Sequence, residues 1–409
     1  MGKNAFFIGQ PIFSQVINLI PRQIIDKVVD KHQSDRYVKR FMSYDHLVTM
    51  LYCCFARCES IREVIIGLEV GNTKLSHLGL TYTPRRSTLS DANKRRTHEV
   101  FEDIFHSLVK HFFPFLSDSG KAKSIEDKLF LIDSTTVTLF SEVMKGAGSY
   151  KQNGKKKGGA KAHVLLKAKE DMPVFVHVSE ARVHDLSFMH LAPIPKGSVV
   201  VIDKAYTNSK VLHRWDEDTT TWITRINKRS KILHLAKLEL SKEDIDHGVF
   251  NDQMIKMGRR SNRSTKEMIV RLVSFYDFEK ERVFHFLTNN FELTALDITM
   301  LYKRRWQIEL MFKRWKSNYP LKYFLGDNPN AVKIQMWCAL ICDLLTQVIR
   351  LKLKQYKSRW SFSNLAGLLR QHLFSYVKLF ELLKKPEKLL LQNRRAENQI
   401  IQLNLFDSS

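Results

Sequence analysis

Two short apolar runs in this chain each end on an aspartate. Leu129-Phe-Leu-Ile132 leads into Asp133, and Ser198-Val-Val-Val-Ile202 leads into Asp203. Runs of this length and composition read as buried strands. Between them, Ala162 to Lys167 and Val174 to Val178 are two more strand-like runs, parted by a turn at Glu170-Asp171-Met172-Pro173. A helix is expected near Leu186 to Leu191. An aspartate after a buried strand is most often a turn cap. Two of them, with an acid on a later helix, make a more specific constellation.

That later acid is Glu309, in the stretch Tyr302 to Lys316, YKRRWQIELMFKRWK. On a regular helix Tyr302, Arg305, Glu309 and Lys316 fall at roughly 0°, −60°, −20° and −40°, one narrow stripe. Leu301, Ile308, Met311, Phe312 and Trp315 crowd the adjacent flank and suit a core-facing side. A carboxylate is thereby held among cations beside a buried seam. The bland alternative is an amphipathic basic helix. Thr294 reads as the N-cap of this helix, with Asp297 at its third position.

The spacing Tyr302-x2-Arg305-x3-Glu309-x6-Lys316 resembles the YREK signature of IS4-family DDE transposases, with Trp306 after the arginine and Phe312 after the glutamate. The resemblance covers roughly residues 10 to 350. It implies an α/β fold: an RNase H-like catalytic core with a β-rich insertion, preceded by an all-helical N-terminal domain and followed by C-terminal helices. It also implies that Asp133, Asp203 and Glu309 are the catalytic, metal-binding triad. The long separation of Asp203 from Glu309 calls for an insertion, and strand-like runs at Trp222, Val249, Met268 to Tyr276 and Val283 to Leu287 suit a β-rich one. The resulting domains are 1–120 (helical, DNA-binding), 121–330 (catalytic, insertion about 215–292) and 331–409 (helical). Lys204-Ala205-Tyr206 after Asp203 departs from many relatives, which carry an arginine or glycine there.

Three carboxylates without cysteine or histidine at ligand spacing suit Mg²⁺ or Mn²⁺, and two ions can serve the attacking and leaving oxygens together. The resemblance implies cut-and-paste transposition: metal-assisted hydrolysis at the transposon end frees a 3′-OH, which is later joined to target DNA. In studied relatives a hairpin forms on the way. Its partners would be double-stranded DNA, as terminal inverted repeats and as target, and a second copy of the chain in a synaptic homodimer. An inactive DNA-binding descendant and an RNase H-like nuclease are the competing readings.

Charge supports a nucleic-acid partner. Lys and Arg number 66 against 42 Asp and Glu, a formal net charge of +24 over 409 residues. Tyr302, Arg305 and Lys316 are candidates for DNA contact. So are Arg95 and Arg96, on a helix expected to start after an N-cap at Ser87 and to follow a short turn in helix-turn-helix fashion. Lys155, Lys156 and Lys157 lie in a glycine-rich segment, 145–161, that reads as a mobile loop able to wrap phosphates. Tyr206 and Trp222 are aromatic groups near the second acid, able in principle to stack on an unpaired base.

The five cysteines, Cys53, Cys54, Cys58, Cys338 and Cys342, fit neither a disulfide framework nor a zinc site and suit a reducing compartment. No signal-peptide pattern opens the sequence, and the apolar run Met336 to Ile349 is short for a membrane span and contains Asp343. The expectation is a cytoplasmic, nucleoid-associated bacterial protein with no membrane partner. Pro21 is expected to break the first helical run, Val332 to Leu353 to form a long apolar helix, and Leu365 to Leu383 another.

Overall fold

The computed structural model describes residues 9–116, 124–139, 149–152, 155–226, 232–257, 267–354 and 360–384. The chain forms two compact units, residues 1–116 with 314–409, and residues 117–313.

Six helices open the first unit: α1 (Ile12–Ile17), α2 (Arg22–His32), α3 (Ser43–Ala56), α4 (Ile61–Val70), α5 (Arg86–Arg95) and α6 (Glu99–Leu116). Pro21 takes the N-cap of α2, where its missing N–H removes nothing the helix needs. Ser60 caps α4 by accepting a hydrogen bond from the Glu63 amide at 3.2 Å. Two expectations need correction here. The cap of α5 is Arg85, so the helix starts before Ser87. A 3-10 segment, Asn72–Leu78, and a further loop separate α4 from α5, so the short turn of a helix-turn-helix is not formed.

The second unit carries a ten-stranded sheet: β1 (Leu129–Thr138), β2 (Ser149–Gln152), β3 (Lys155–Lys167), β4 (Met172–Glu180), β5 (Val199–Ile202), β6 (Thr221–Arg225), β7 (Ile232–Lys237), β8 (Val249–Met257), β9 (Met268–Asp277) and β10 (Arg282–Thr288). Helix α7 (Ser209–Glu217) links β5 to β6, and α8 (Lys242–Asp246) precedes β8. Strands β4, β3 and β1 pair antiparallel in that order, then β1, β5 and β6 run parallel. That order is the RNase H-like one. All four residues of β5 are buried, as expected of a central parallel strand covered on both faces. Phe130, Ile132, Val200 and Ile202 pack with Phe188, Trp215 and Trp222 in its core.

The insertion is smaller than expected. Helix α7 and strand β6 belong to the core, and β10 pairs antiparallel with β6, so β7 to β10 extend the same sheet. A short, two-sidedly buried parallel strand has no alternation to distinguish it from its neighbours, which is why Trp222 to Arg225 read as part of the insertion.

The inserted strands brace the start of the glutamate helix. Arg271 on β9 grips Asp252 on β8 through Nε at 3.0 Å and Nη2 at 2.6 Å, and its Nη1 donates to the Leu293 carbonyl at 2.6 Å. The Leu296 amide donates to Asp244 Oδ1 at 2.8 Å. Thr294 and Asp297 form the expected capping box. The helical stretch itself is interrupted: α9 (Ala295–Lys303) ends, Arg304 and Arg305 form a tightened turn, and α10 (Trp306–Asn318) continues. Within that turn the Arg305 amide bonds to the Tyr302 carbonyl at 3.0 Å, an i to i−3 bond.

The first unit is completed by α11 (Pro329–Lys354), α12 (Phe362–Gln371) and α13 (Leu379–Lys384). The expected single helix over 365–383 is thus two. Between them the carbonyls of Leu373 and Ser375 accept from the amides of Phe13 and Ile12, at 2.8 and 3.0 Å, so this segment serves the start of α1 instead of a helix of its own. The C-terminal helices therefore share a unit with the N-terminal ones and do not stand as a third region. Among the described residues α11 alone is long and apolar enough to cross a membrane, yet its apolar window is 94% buried in the protein. Asp343 within it receives Arg314 Nε and Nη2 at 3.1 and 3.0 Å. It is a core helix. All five cysteines are buried and free.

Candidate active site

Pairing of β1 with β5 sets Ile132 opposite Ile202, so the next residues, Asp133 within β1 and Asp203 just past the end of β5, stand side by side. Each is held by its own local donor. The Ser134 amide donates to Asp133 Oδ1 at 2.8 Å, and Asp203 caps the 3-10 segment Lys204–Tyr206. Arg225, on the next parallel strand, donates from Nη2 to Asp203 Oδ1 at 2.8 Å.

Glu309 sits in the first turn of α10. It joins the aspartates through Arg305, whose Nη1 donates to Asp133 Oδ2 at 2.9 Å while Nη2 pairs with Glu309 Oε1. The turn that carries Arg305 is fixed from both sides. Arg304 pairs with Glu126 at 2.7 Å, and Gln307 Nε2 donates to the Ala168 carbonyl at 2.6 Å.

The electrostatics are uneven. Burial pushes the Asp133 carboxyl up to about 6, and the charges of Asp203 and Glu309 add to that against the Ser134 amide and Arg305. Burial also acts upward on Asp203, but the hydrogen bond and charge of Arg225 outweigh it and hold the carboxyl below its ordinary value. Three acids thus share one field, with a single guanidinium between two of them. Among the described residues no three candidate ligands converge as they stand into a metal site. The cation between Asp133 and Glu309 is Arg305 itself.

Residues 125–345 match the profile described as "Transposase DDE domain", more than half of the chain. This chain belongs to the DDE transposases. Residues 8–81 match a second profile, a domain of unknown function, DUF4372. The transposase is 29% identical over 269 residues to a putative transposase, y4zB, of Sinorhizobium fredii, covering 65% of this chain and 72% of that one. It is 25% identical to a putative transposase for insertion sequence element IS4SA of Synechocystis sp., covering 64% and 71%. A solved piggyBac transposase synaptic complex with hairpin DNA is similar over 93% of this chain and 83% of that one, at 10% identity and a TM-score of 0.47. Membership of the family implies a DNA-cleaving, strand-transferring enzyme that depends on a divalent metal ion.

The other expected contact residues of this transposase divide sharply. Tyr302 is 7% exposed, its ring 4.6 Å from that of Phe286, so it is packed in the second unit. Its buried hydroxyl faces Arg225 and Arg305, whose charges act on it together with a contact from the Arg305 side chain. Arg96 is buried too, donating to the Phe41 carbonyl at 2.9 Å, which corrects its reading as a phosphate ligand. Arg95 is exposed and pairs with Asp91 one turn back at 2.8 Å. Lys316 is exposed in the last turn of α10 and belongs to the first unit. Lys155, Lys156 and Lys157 open β3, paired with β2, so this part of the expected loop is a hairpin strand. Their side chains lie outside the described residues, as do 140–148 of the same segment. Trp222 and Tyr206 are 0% and 1% exposed and are unavailable for stacking on a base.

Ser134, His163 and Asp185 carry no signal in the sequence, yet all three gather beside Asp133. Lys161, at the end of the glycine-rich segment expected to wrap phosphates, joins them by pairing with Asp185. The only sequence signal for Arg225 is its place at the end of the apolar run from Trp222, which reads as part of the insertion.

Proposed function

We propose that this transposase is of the IS4 type, cuts DNA at the terminal inverted repeats of its own element and joins the freed ends to target DNA, with Asp133, Asp203 and Glu309 as its three acids. The placement of Asp133 beside Asp203 on parallel strands, with Glu309 tied to Asp133 through Arg305, is the observation that supports this most.

The donor set is carboxylate oxygen alone, which suits Mg²⁺ or Mn²⁺, and we assign two ions to it. When bound, such ions activate the attacking oxygen and stabilise the leaving one. Asp133, Asp203 and Glu309 would hold these ions, with Asp133 in the field of both other acids. Arg305, which pairs with Asp133 and Glu309 here, would offer N–H groups released from either carboxylate to a DNA phosphate. Arg225 keeps Asp203 ionised. Tyr302, buried against Phe286, supports the Arg305 turn.

Arg95, Lys316 and the β3 lysines 155–157 are assigned to the DNA backbone, within a synaptic homodimer in the bacterial cytoplasm at the nucleoid. The test is cleavage of a DNA carrying the element's ends with Mg²⁺, wild type against Glu309→Ala. End-specific 3′-OH formation is expected for the wild type and none for the variant, with DNA binding retained by both. Cutting that ignores end sequence points to a general nuclease. End binding without cutting under any divalent ion points to an inactive descendant.

A further inference from the structure

Behind Asp133 lies a group of polar side chains with no part in the reading above. Asp185 opens the 3-10 segment Asp185–His190, and its Oδ1 accepts from Ser134 Oγ at 2.9 Å and from Lys161 Nζ at 3.2 Å. Lys161 also donates to the Val183 carbonyl at 2.9 Å, which pins β3 to the segment that carries Asp185. His163, fully buried two residues along the strand, places Nδ1 3.6 Å from the same Asp185 oxygen and Nε2 3.0 Å from Ser179 Oγ. Its ring stacks on Phe188, 5.4 Å away at 16°. Asp185 is thus fixed from β1, β3 and its own segment.

The consequence concerns Ser134. Its hydroxyl is held by Asp185 while its amide holds Asp133 Oδ1 at 2.8 Å. The hydroxyl bond anchors this stretch of β1, beyond its pairing with β5, to the Asp185 segment, and with it the backbone that carries the Ser134 amide. A one-ångström error in a catalytic carboxylate lowers the rate severely. We propose that Asp185 is a positioning residue for the transposase reaction: through Ser134 it sets the direction in which Asp133 presents its carboxylate. The inference rests on Asp133 being one of the three acids. A staple between β3 and the Asp185 segment needs Lys161 and Asp185 but has no use for the Ser134 hydroxyl, so Ser134 separates the two roles.

The experiment compares wild type with Ser134→Ala, Ser134→Thr, Asp185→Ala, the Ser134→Ala/Asp185→Ala double variant and Asp203→Asn. It reads kcat and KM for end cleavage, Mn²⁺ affinity by titration without DNA, and Tm. Ser134→Ala is expected to lower kcat or Mn²⁺ affinity by about 10- to 100-fold, with KM for DNA and Tm near wild type. Threonine restores the loss, and the double variant is no worse than Asp185→Ala alone. Wild-type kcat and Mn²⁺ affinity in Ser134→Ala overturn the inference, whatever Asp185→Ala does to Tm. Asp203→Asn tests the site itself: if it cuts and binds Mn²⁺ like wild type, the acid assignment falls and the inference with it. Loss in Asp203→Asn with none in Ser134→Ala overturns the inference alone.

Discussion

Arg305 and Asp133 meet at 2.9 Å although 172 positions separate them in the chain, and the same guanidinium pairs with Glu309 in the first turn of the helix that follows. A planar fork spans two carboxylates in a way a single ammonium cannot. Arg305→Ala leaves both acids without this counter-ion and is expected to lower Tm and to reduce cleavage by about 10²- to 10³-fold, the scale of losing one preorganised donor. Arg305→Lys should recover part of the Tm and little of the rate. Cleavage at wild-type kcat by the lysine variant would rule out a forked role.

Tyr302 separates packing from phosphate contact. Its ring lies against Phe286 and its buried hydroxyl faces Arg305, which already holds Asp133 and Glu309. Tyr302→Phe should therefore keep Tm and end affinity within a small margin of wild type. Tyr302→Ala opens a cavity and should destabilise by about 3–5 kcal/mol. Thermal melts and end-binding titrations of both variants check this, and a large loss of DNA affinity in Tyr302→Phe with unchanged Tm would restore the phosphate contact.

What could be read from sequence was local. The strand ending before Asp203 and the Thr294 cap each depend on a few consecutive residues, and the structure forms them. The run before Asp133 is a strand too, but β1 continues through Asp133 to Thr138, because β3 pairs with it along that length. The break at Arg304 and Arg305 was hidden because both residues are good helix formers. It is held by Glu126 and Ala168, far away in sequence. Arg96, Trp222 and Tyr206 look like surface or ligand groups in a list of residue types, yet tertiary packing buries all three. Arg225 and Asp185 were invisible for the same reason, since their importance lies in which strand neighbours which.

The helical unit carries its own pH signature in His46. This histidine is fully buried, bonded to Asn93 Oδ1 at 2.8 Å, and burial with the nearby Arg96 charge lowers its pKa to about 3. The unfolded chain takes up a proton near the ordinary 6.5, while the folded chain resists it until about 3. Between those values the unfolded state binds more protons, so stability falls as pH falls, by about 1.4 kcal/mol per unit. From pH 7 to 5 the loss assigned to His46 is about 2 kcal/mol. His46→Gln keeps a donor for Asn93 and removes the titration. Urea unfolding at both pH values should show that much less acid sensitivity in the variant, and equal sensitivity would mean that His46 is protonated in the folded unit.

Arg95 and Arg96 are neighbours with opposite fates, and the pair tests whether α5 contacts DNA. Arg95 is solvent-exposed and pairs with Asp91 within its own helix, an interaction of about a few tenths of a kcal/mol. Arg96 is buried and supports the Phe41 carbonyl, with Asp35 at 3.5 Å. Removing Arg95 therefore should not affect Tm, whereas Arg96→Ala leaves buried acceptors unmet and should destabilise by about 1–3 kcal/mol. On DNA the order reverses. If α5 lies along the backbone, Arg95→Ala weakens binding to all sequences and lowers the slope of log affinity against log salt by about 0.9. Affinity titrations across a salt series with end and unrelated DNA measure both quantities. An unchanged slope in Arg95→Ala removes this helix from the DNA contact and leaves the net charge of +24 to act through other surfaces.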